Sequence, residues 1–179
     1  MELILYGNIK DKYLTKEILD PISKCYRTFY YGDGILHGAR RPQISIIETN
    51  VIKKIKSKNS LIILKKRARM DGLKNISNNI PILASSENHK QLEKISKLGL
   101  CVITCGLSEK DTLTFSSVGK ESSVVSLQRS FFGHAPMEIP ILHSKTNTLF
   151  AMQCIAAITI ILEKKDEIKL DLTSTKYFH

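Results

Sequence analysis

Short apolar runs rich in β-branched, aliphatic and aromatic residues recur at positions 3–6, 28–31, 44–47, 61–64, 80–83 and 100–104, with polar segments of helical length between several of them. Continuous apolar runs of four or five residues suit strands covered on both faces, and their alternation with helical segments predicts a mostly parallel sheet in an α/β fold. The clearest helix is 87–98, where Leu92, Ile95 and Leu98 recur at helical spacing, Ser85 or Ser86 can cap the start and Gly99 can end it. Residues 13–23 and 50–56 are further helical candidates.

Beyond Gly106 the pattern changes. Residues 112–118 and 122–128 alternate apolar with polar positions around Gly119-Lys-Glu, which predicts an antiparallel hairpin with one solvated face. Residues 137–142, interrupted by Pro140, read as an edge strand, and an apolar helix at about 146–162 follows. The expected architecture is a three-layer, Rossmann-like, mostly parallel sheet with an antiparallel hairpin extension. It occupies residues 1–162 as a single domain, and 163–179 are a charged tail or a final edge strand. The apolar stretch 149–162 is shorter than the roughly 20 residues a membrane span needs, so it is read as a core helix and no membrane partner is expected.

The length of 179 residues fits one domain, and 42% hydrophobic with 25% charged residues excludes collagenous and wholly disordered classes. Lys+Arg 27 against Asp+Glu 17 leaves a net charge of +10, which favours anionic partners or simply solubility. Cys25, Cys101, Cys105 and Cys154 are scattered without paired zinc spacing, and the chain opens on a strand-like run rather than a basic, then apolar, leader. These features are those of a cytoplasmic protein with reduced thiols. The five histidines show no HExxH spacing, and no GxSxG elbow occurs, so no catalytic residue is assigned. His134, in the Gly- and Pro-bounded run 131–136, reads as a turn residue.

Two basic features remain. Gly32 and Gly34, with His37, Arg40 and Arg41, form a Gly-rich basic loop where backbone and guanidinium groups can approach an anion; a plain two-glycine turn explains the same residues. Lys53, Lys54, Lys56, Lys58, Lys65, Lys66, Arg67, Arg69 and Lys74 crowd one segment against Asp71 alone. That run contains no aromatic to stack on bases, so it reads as solvated surface rather than a nucleic-acid site, with a polyanion-binding module as a lesser alternative.

The wording Ile82-Leu-Ala-Ser-Ser-Glu-Asn-His89, then Leu100-Cys-Val-Ile-Thr-Cys-Gly-Leu-Ser108, then Asp111-Thr-Leu-Thr-Phe-Ser-Ser-Val118 resembles the second half of the central, ATP-binding domain of Mur ligases. Ile139-Pro-Ile-Leu-His-Ser-Lys-Thr-Asn147, followed by Cys154-Ile-Ala-Ala157, is similar to that family's nucleobase-side helix motif. The likeness covers about residues 80–160, and 1–60 weakly. It implies an ATP- and magnesium-dependent fold, with Gly7, Asn8, Lys10, Lys12, Asn88 and Asn147 on the nucleotide or its phosphates and Glu48 on the metal.

The departures are as informative. A phosphate loop of GxxxxGK[ST] type cradles phosphates with backbone amides and neutralises them with lysine. Here Gly7-Asn-Ile-Lys-Asp-Lys-Tyr-Leu-Thr15 keeps Gly7, Lys10 and Lys12, but lacks the second glycine and the hydroxyl residue after lysine. The family's Asp-His pair and activated lysine are not recognisable in 51–79, Phe150 stands where a second Asn is expected, and 179 residues leave no room for the flanking substrate domains. The resemblance therefore implies a catalytically degenerate Mur-ligase-like protein that binds, assembles or regulates, alone, as a homo-oligomer or with a partner protein, and retains at most weak nucleotide binding. The alternative is one component of an ATP-dependent amide ligase that acts with a partner chain.

Overall fold

The computed structural model describes residues 1–57, 59–162 and 170–172, which gather into two compact units, Met1–Thr104 and Cys105–His179. The first contains β1 (Glu2–Tyr6), α1 (Tyr13–Cys25), β2 (Thr28–Gly32), β3 (Ile35–Gly38), β4 (Ile44–Thr49), β5 (Ser60–Leu64), a 3-10 turn (Met70–Asn75), β6 (Ile82–Ser85), α2 (His89–Lys97) and most of β7 (Val102–Cys105). Strand order there is β3-β2-β4-β1-β5-β6-β7. β1 pairs in parallel with β4 and β5, β2 pairs in parallel with β4, and β5 with β6; β2 and β3 form an antiparallel hairpin.

The apolar runs become strands because both faces are covered. Ile4, Tyr6, Ile62, Leu64, Ile82 and Ala84 share one face and pack with Met70, Leu73 and Ile95 of the 3-10 turn and α2. Leu3, Leu5, Ile46, Leu61 and Ile63 share the other, where α1 supplies Ile18 and Ile22, both buried. Helix, sheet and helix thus form three layers, as the continuous hydrophobicity of the strands requires.

In the second unit Cys105, the last residue of β7, pairs in parallel with Leu113 of β8 (Leu113–Val118). β8 and β9 (Ser122–Leu127) form the expected hairpin, with a bulge between Phe115 and Ser117. β10 (Met137–Leu142) pairs antiparallel to β9, and β11 (Leu170–Asp171) adds to it in parallel. α3 (Leu149–Ile161) starts at Thr148, whose hydroxyl accepts from the Ala151 N–H at 3.3 Å, and every residue from Ala151 to Ile160 is buried. A helix apolar all round belongs inside a core. Its one amide, Gln153, donates to the carbonyls of Gly106 (2.7 Å) and Leu113 (3.0 Å). No helix among the described residues is long and apolar enough to cross a membrane.

Several expectations need correction. The segment 50–56 forms no helix, because the Thr49 hydroxyl accepts from the Val51 N–H and donates to the Val51 carbonyl, closing a local turn, while Ile52 tucks into the core. β10 is not an edge, since β11 lies beside it. α2 is capped by Asn88 rather than by Ser85 or Ser86. Residues 35–38 are a strand, not loop: Asp33 (φ 52°) and Gly34 (φ 75°) make the tight turn of the β2–β3 hairpin. Lys58 and most of the charged tail, 163–169 and 173–179, lie outside the described residues.

Candidate functional site

The carboxyl ends of β1, β4 and β5 are where an open parallel sheet presents ligand-binding groups. Glu48, next to last in β4, shares the face of Leu5 and Ile63 and is buried. Lys65 follows β5 directly; its side chain turns to the same face and is 1% exposed. Lys12, at the N-cap of α1, and Thr15, one turn further on, reach the cluster from the helix, and Tyr30 reaches it from β2.

Every polar atom of the cluster is engaged. Glu48 Oε2 accepts from Lys12 Nζ and from the Tyr30 hydroxyl (2.5 Å), while Oε1 accepts from Lys65 Nζ and the Thr15 hydroxyl (2.6 Å). Two donors on each oxygen fill the carboxylate's acceptor sites. The three N–H groups of Lys65 are likewise matched by Glu48, the Asp11 carbonyl and the Asn8 carbonyl (3.2 Å). The β1–α1 loop therefore turns carbonyls toward an internal cation.

Burial alone would raise the Glu48 pKa, but the bonds from Lys12, Lys65, Thr15 and Tyr30 outweigh it and hold the carboxyl at about 2. Burial and the adjacent Glu48 push the Tyr30 phenol up. For Lys12, burial works against the charge, and the bonds to Glu48 and Tyr30 overcome it, so its pKa is raised. Two ammonium groups against one carboxylate leave a single net positive charge, and Lys12, with a side chain 32% exposed, is the member that meets solvent.

Glycines permit the close packing. A Cβ on Gly7 (φ 151°) would lie 2.6 Å from the Lys65 Cβ, and one on Gly32 would lie 2.8 Å from Glu48 Oε2. The structure therefore brings Gly7, Lys12, Gly32 and Glu48 together. Lys10 and Asn8 are exposed, with the Asn8 side chain accepting from the Lys10 N–H at 3.0 Å. Gly34, Arg40 and Arg41 lie on the exposed hairpin and beyond it, and His37 stacks on Tyr30 with ring centroids 5.2 Å apart. Asn88 caps α2 and donates to the Lys66 carbonyl at 3.0 Å, beside Gln91, which donates to the Lys65 carbonyl at 3.0 Å. In the second unit, Asn147 accepts from the Ser144 N–H and hydroxyl, both at 3.0 Å. His134 is buried there, with Nδ1 lacking a hydrogen-bond partner among the described residues.

Sequence reasoning missed Lys65, Thr15 and Tyr30 as members of the cluster. Lys65 carried a signal, because it continues the alternation Leu61, Ile63 onto the core face of a fully buried strand.

No family model and no curated protein matches the chain in sequence. Solved structures do match in fold. UDP-N-acetylmuramate:L-alanyl-gamma-D-glutamyl-meso-diaminopimelate ligase from Neisseria meningitides superposes with a TM-score of 0.61 over 99% of this chain and 67% of its own, at 10% identity. MurF from Acinetobacter baumannii does so at 0.57 over 93% and 44%, at 11% identity. The fold is that of the Mur ligases. MurF from Thermotoga maritima in complex with ADP gives 0.57 over 99% and 49% at 8% identity, and the FPGS–AMPPCP–folate complex gives 0.50 over 90% and 58% at 8%. The Mur-ligase-like chain thus spans about half the length of the MurF structures it matches. The fold likeness agrees with the resemblance carried by residues 80–160.

Proposed function

We propose that this chain is a Mur-ligase-like binding or assembly module in which an internal ion cluster fills the place of phosphate and metal. The observation that carries this reading is Lys65, whose buried ammonium takes the Asn8 and Asp11 carbonyls and Glu48. A phosphate cradle presents N–H groups to an anion; this loop presents C=O groups to a cation. A magnesium ion does not fit at Glu48, since it would have to displace two ammonium groups and two hydroxyls from the carboxylate. In this reading Gly7, Lys12 and Glu48 are structural, and no carboxylate activation is assigned to them.

A second reading is favoured by the nucleotide complexes among the fold neighbours, with ADP and with AMPPCP. In it the chain is one component of an ATP-dependent ligase, completed by a partner.

A thermal-shift titration with ATP and ADP, with and without magnesium, separates the two. The module reading expects no saturable shift at millimolar nucleotide. A saturable, magnesium-dependent stabilisation that Lys12→Ala abolishes overturns it in favour of the ligase reading.

A further inference from the structure

β3 ends the strand order of the first unit, pairs with β2 alone among the described residues, and is exposed along its whole length. Ile35 is 57% exposed and Leu36 64%, with Tyr31 of β2 (46%) beside Leu36. Edge strands of soluble proteins usually carry a lysine, a proline or a bulge that blocks further pairing. β3 carries none of these, and its arginines, Arg40 and Arg41, stand past its end.

The hairpin register identifies the backbone groups left free. The Ala39 N–H donates to the Thr28 carbonyl at 2.8 Å, and hydrogen-bonded positions alternate along an antiparallel pair. Ile35, His37 and Ala39 therefore turn their peptide groups toward β2, while Leu36 and Gly38 turn theirs outward. An antiparallel strand added here must offer outward groups at the same spacing, and β3 of a second copy does so about a two-fold axis through His37. Leu36 then exchanges N–H and C=O with the partner's Gly38, and Gly38 does so with the partner's Leu36. The Leu36 side chain lies opposite a residue without one. Backbone and shape are thus self-complementary in one register.

We infer that two copies of this chain associate through β3, antiparallel and two-fold, extending each sheet into its partner. The inference does not depend on the nucleotide question.

Sedimentation of the full chain over a wide concentration range should show a mass rising from 20.2 kDa toward double that value. Leu36→Pro removes an outward N–H and no bond of the hairpin, so it should leave the chain folded and monomeric; Leu36→Lys, a natural edge blocker, should do the same. On a Cys25→Ser/Cys101→Ser background, His37→Cys should oxidise to a cross-linked dimer, because non-hydrogen-bonded antiparallel pairs place their Cα atoms about 4.5 Å apart. A monomer at every concentration, a dimer that survives both Leu36 variants, or cross-linking at Leu36→Cys instead of His37→Cys would each overturn the inference.

Discussion

Taking away the Lys65 ammonium leaves Glu48 buried with one donor fewer on Oε1 and two loop carbonyls facing apolar surface. Breaking a buried pair from one side is costly, so Lys65→Met should destabilise the chain by about 3 kcal/mol, a fall in Tm of roughly 10 °C by calorimetry. Replacing both partners removes the orphaned charge, and the double variant Lys65→Met/Glu48→Leu should recover part of that loss. A double variant no more stable than Lys65→Met would show that the cluster holds the fold by more than its own pairing. The same carboxylate sets an acid dependence. Its folded pKa of about 2 lies below the ordinary 4.5, so the unfolded chain binds the proton more readily. The cluster's stabilisation is then fully present above about pH 4.5 and is lost as pH falls toward 2. Urea unfolding of wild type and Glu48→Gln across that window should give a steeper pH slope for the wild type.

At the scale of elements, Asn88 shows how a residue with a nucleotide-binding expectation can have a structural task. Its side chain accepts from the Gln91 N–H at 3.4 Å and donates to the Lys66 carbonyl, tying the start of α2 to the end of β5. Asn88→Ala should lower stability by about 1 kcal/mol, seen as a lower urea midpoint at unchanged m-value, and Asn88→Asp should keep the cap but lose the tie. The core strands β1 and β5 were legible because burial on both faces writes a nearly continuous apolar run into the sequence, and β4 because Ile44, Ile46 and Ile47 keep it largely apolar although only alternate positions are fully buried. β3 was not, since an exposed four-residue edge strand has no buried face to impose alternation; its one signal was the Asp33-Gly34 turn. Residues 50–56 misled because Ile52 and Ile55 have helical spacing, while the Thr49 hydroxyl had already turned the chain. Glu48 and Lys12 could be placed from the sequence at a strand end and a helix start. Their pairing could not, because it depends on Lys65 and Tyr30 arriving on the same face through the register of β5 and β2.

For the molecule as a whole, the net charge of +10 and the basic run between Lys53 and Lys74 raise the question of polyanions. The structure divides that run. Lys65 is withdrawn into the ion cluster, whereas Lys53, Lys54, Lys56, Lys66, Arg67, Arg69 and Lys74 are exposed. Exposed cations without an aromatic platform bind phosphate backbones through counterion release, which carries no sequence information and decays steeply with salt. Fluorescence anisotropy with two DNA duplexes of unrelated sequence should therefore give equal affinities. Both should fall by about 10³ or more between 50 and 200 mM salt if six or more of these cations engage. Lys66→Glu/Arg67→Glu/Arg69→Glu should weaken both duplexes alike, while Lys65→Met, which removes a buried charge, should change neither affinity. A preference of tenfold or more for one duplex, or a strong effect of Lys65→Met in a folded protein, would mean that the basic segment is a recognition surface, and the polyanion-binding alternative would then displace the module reading.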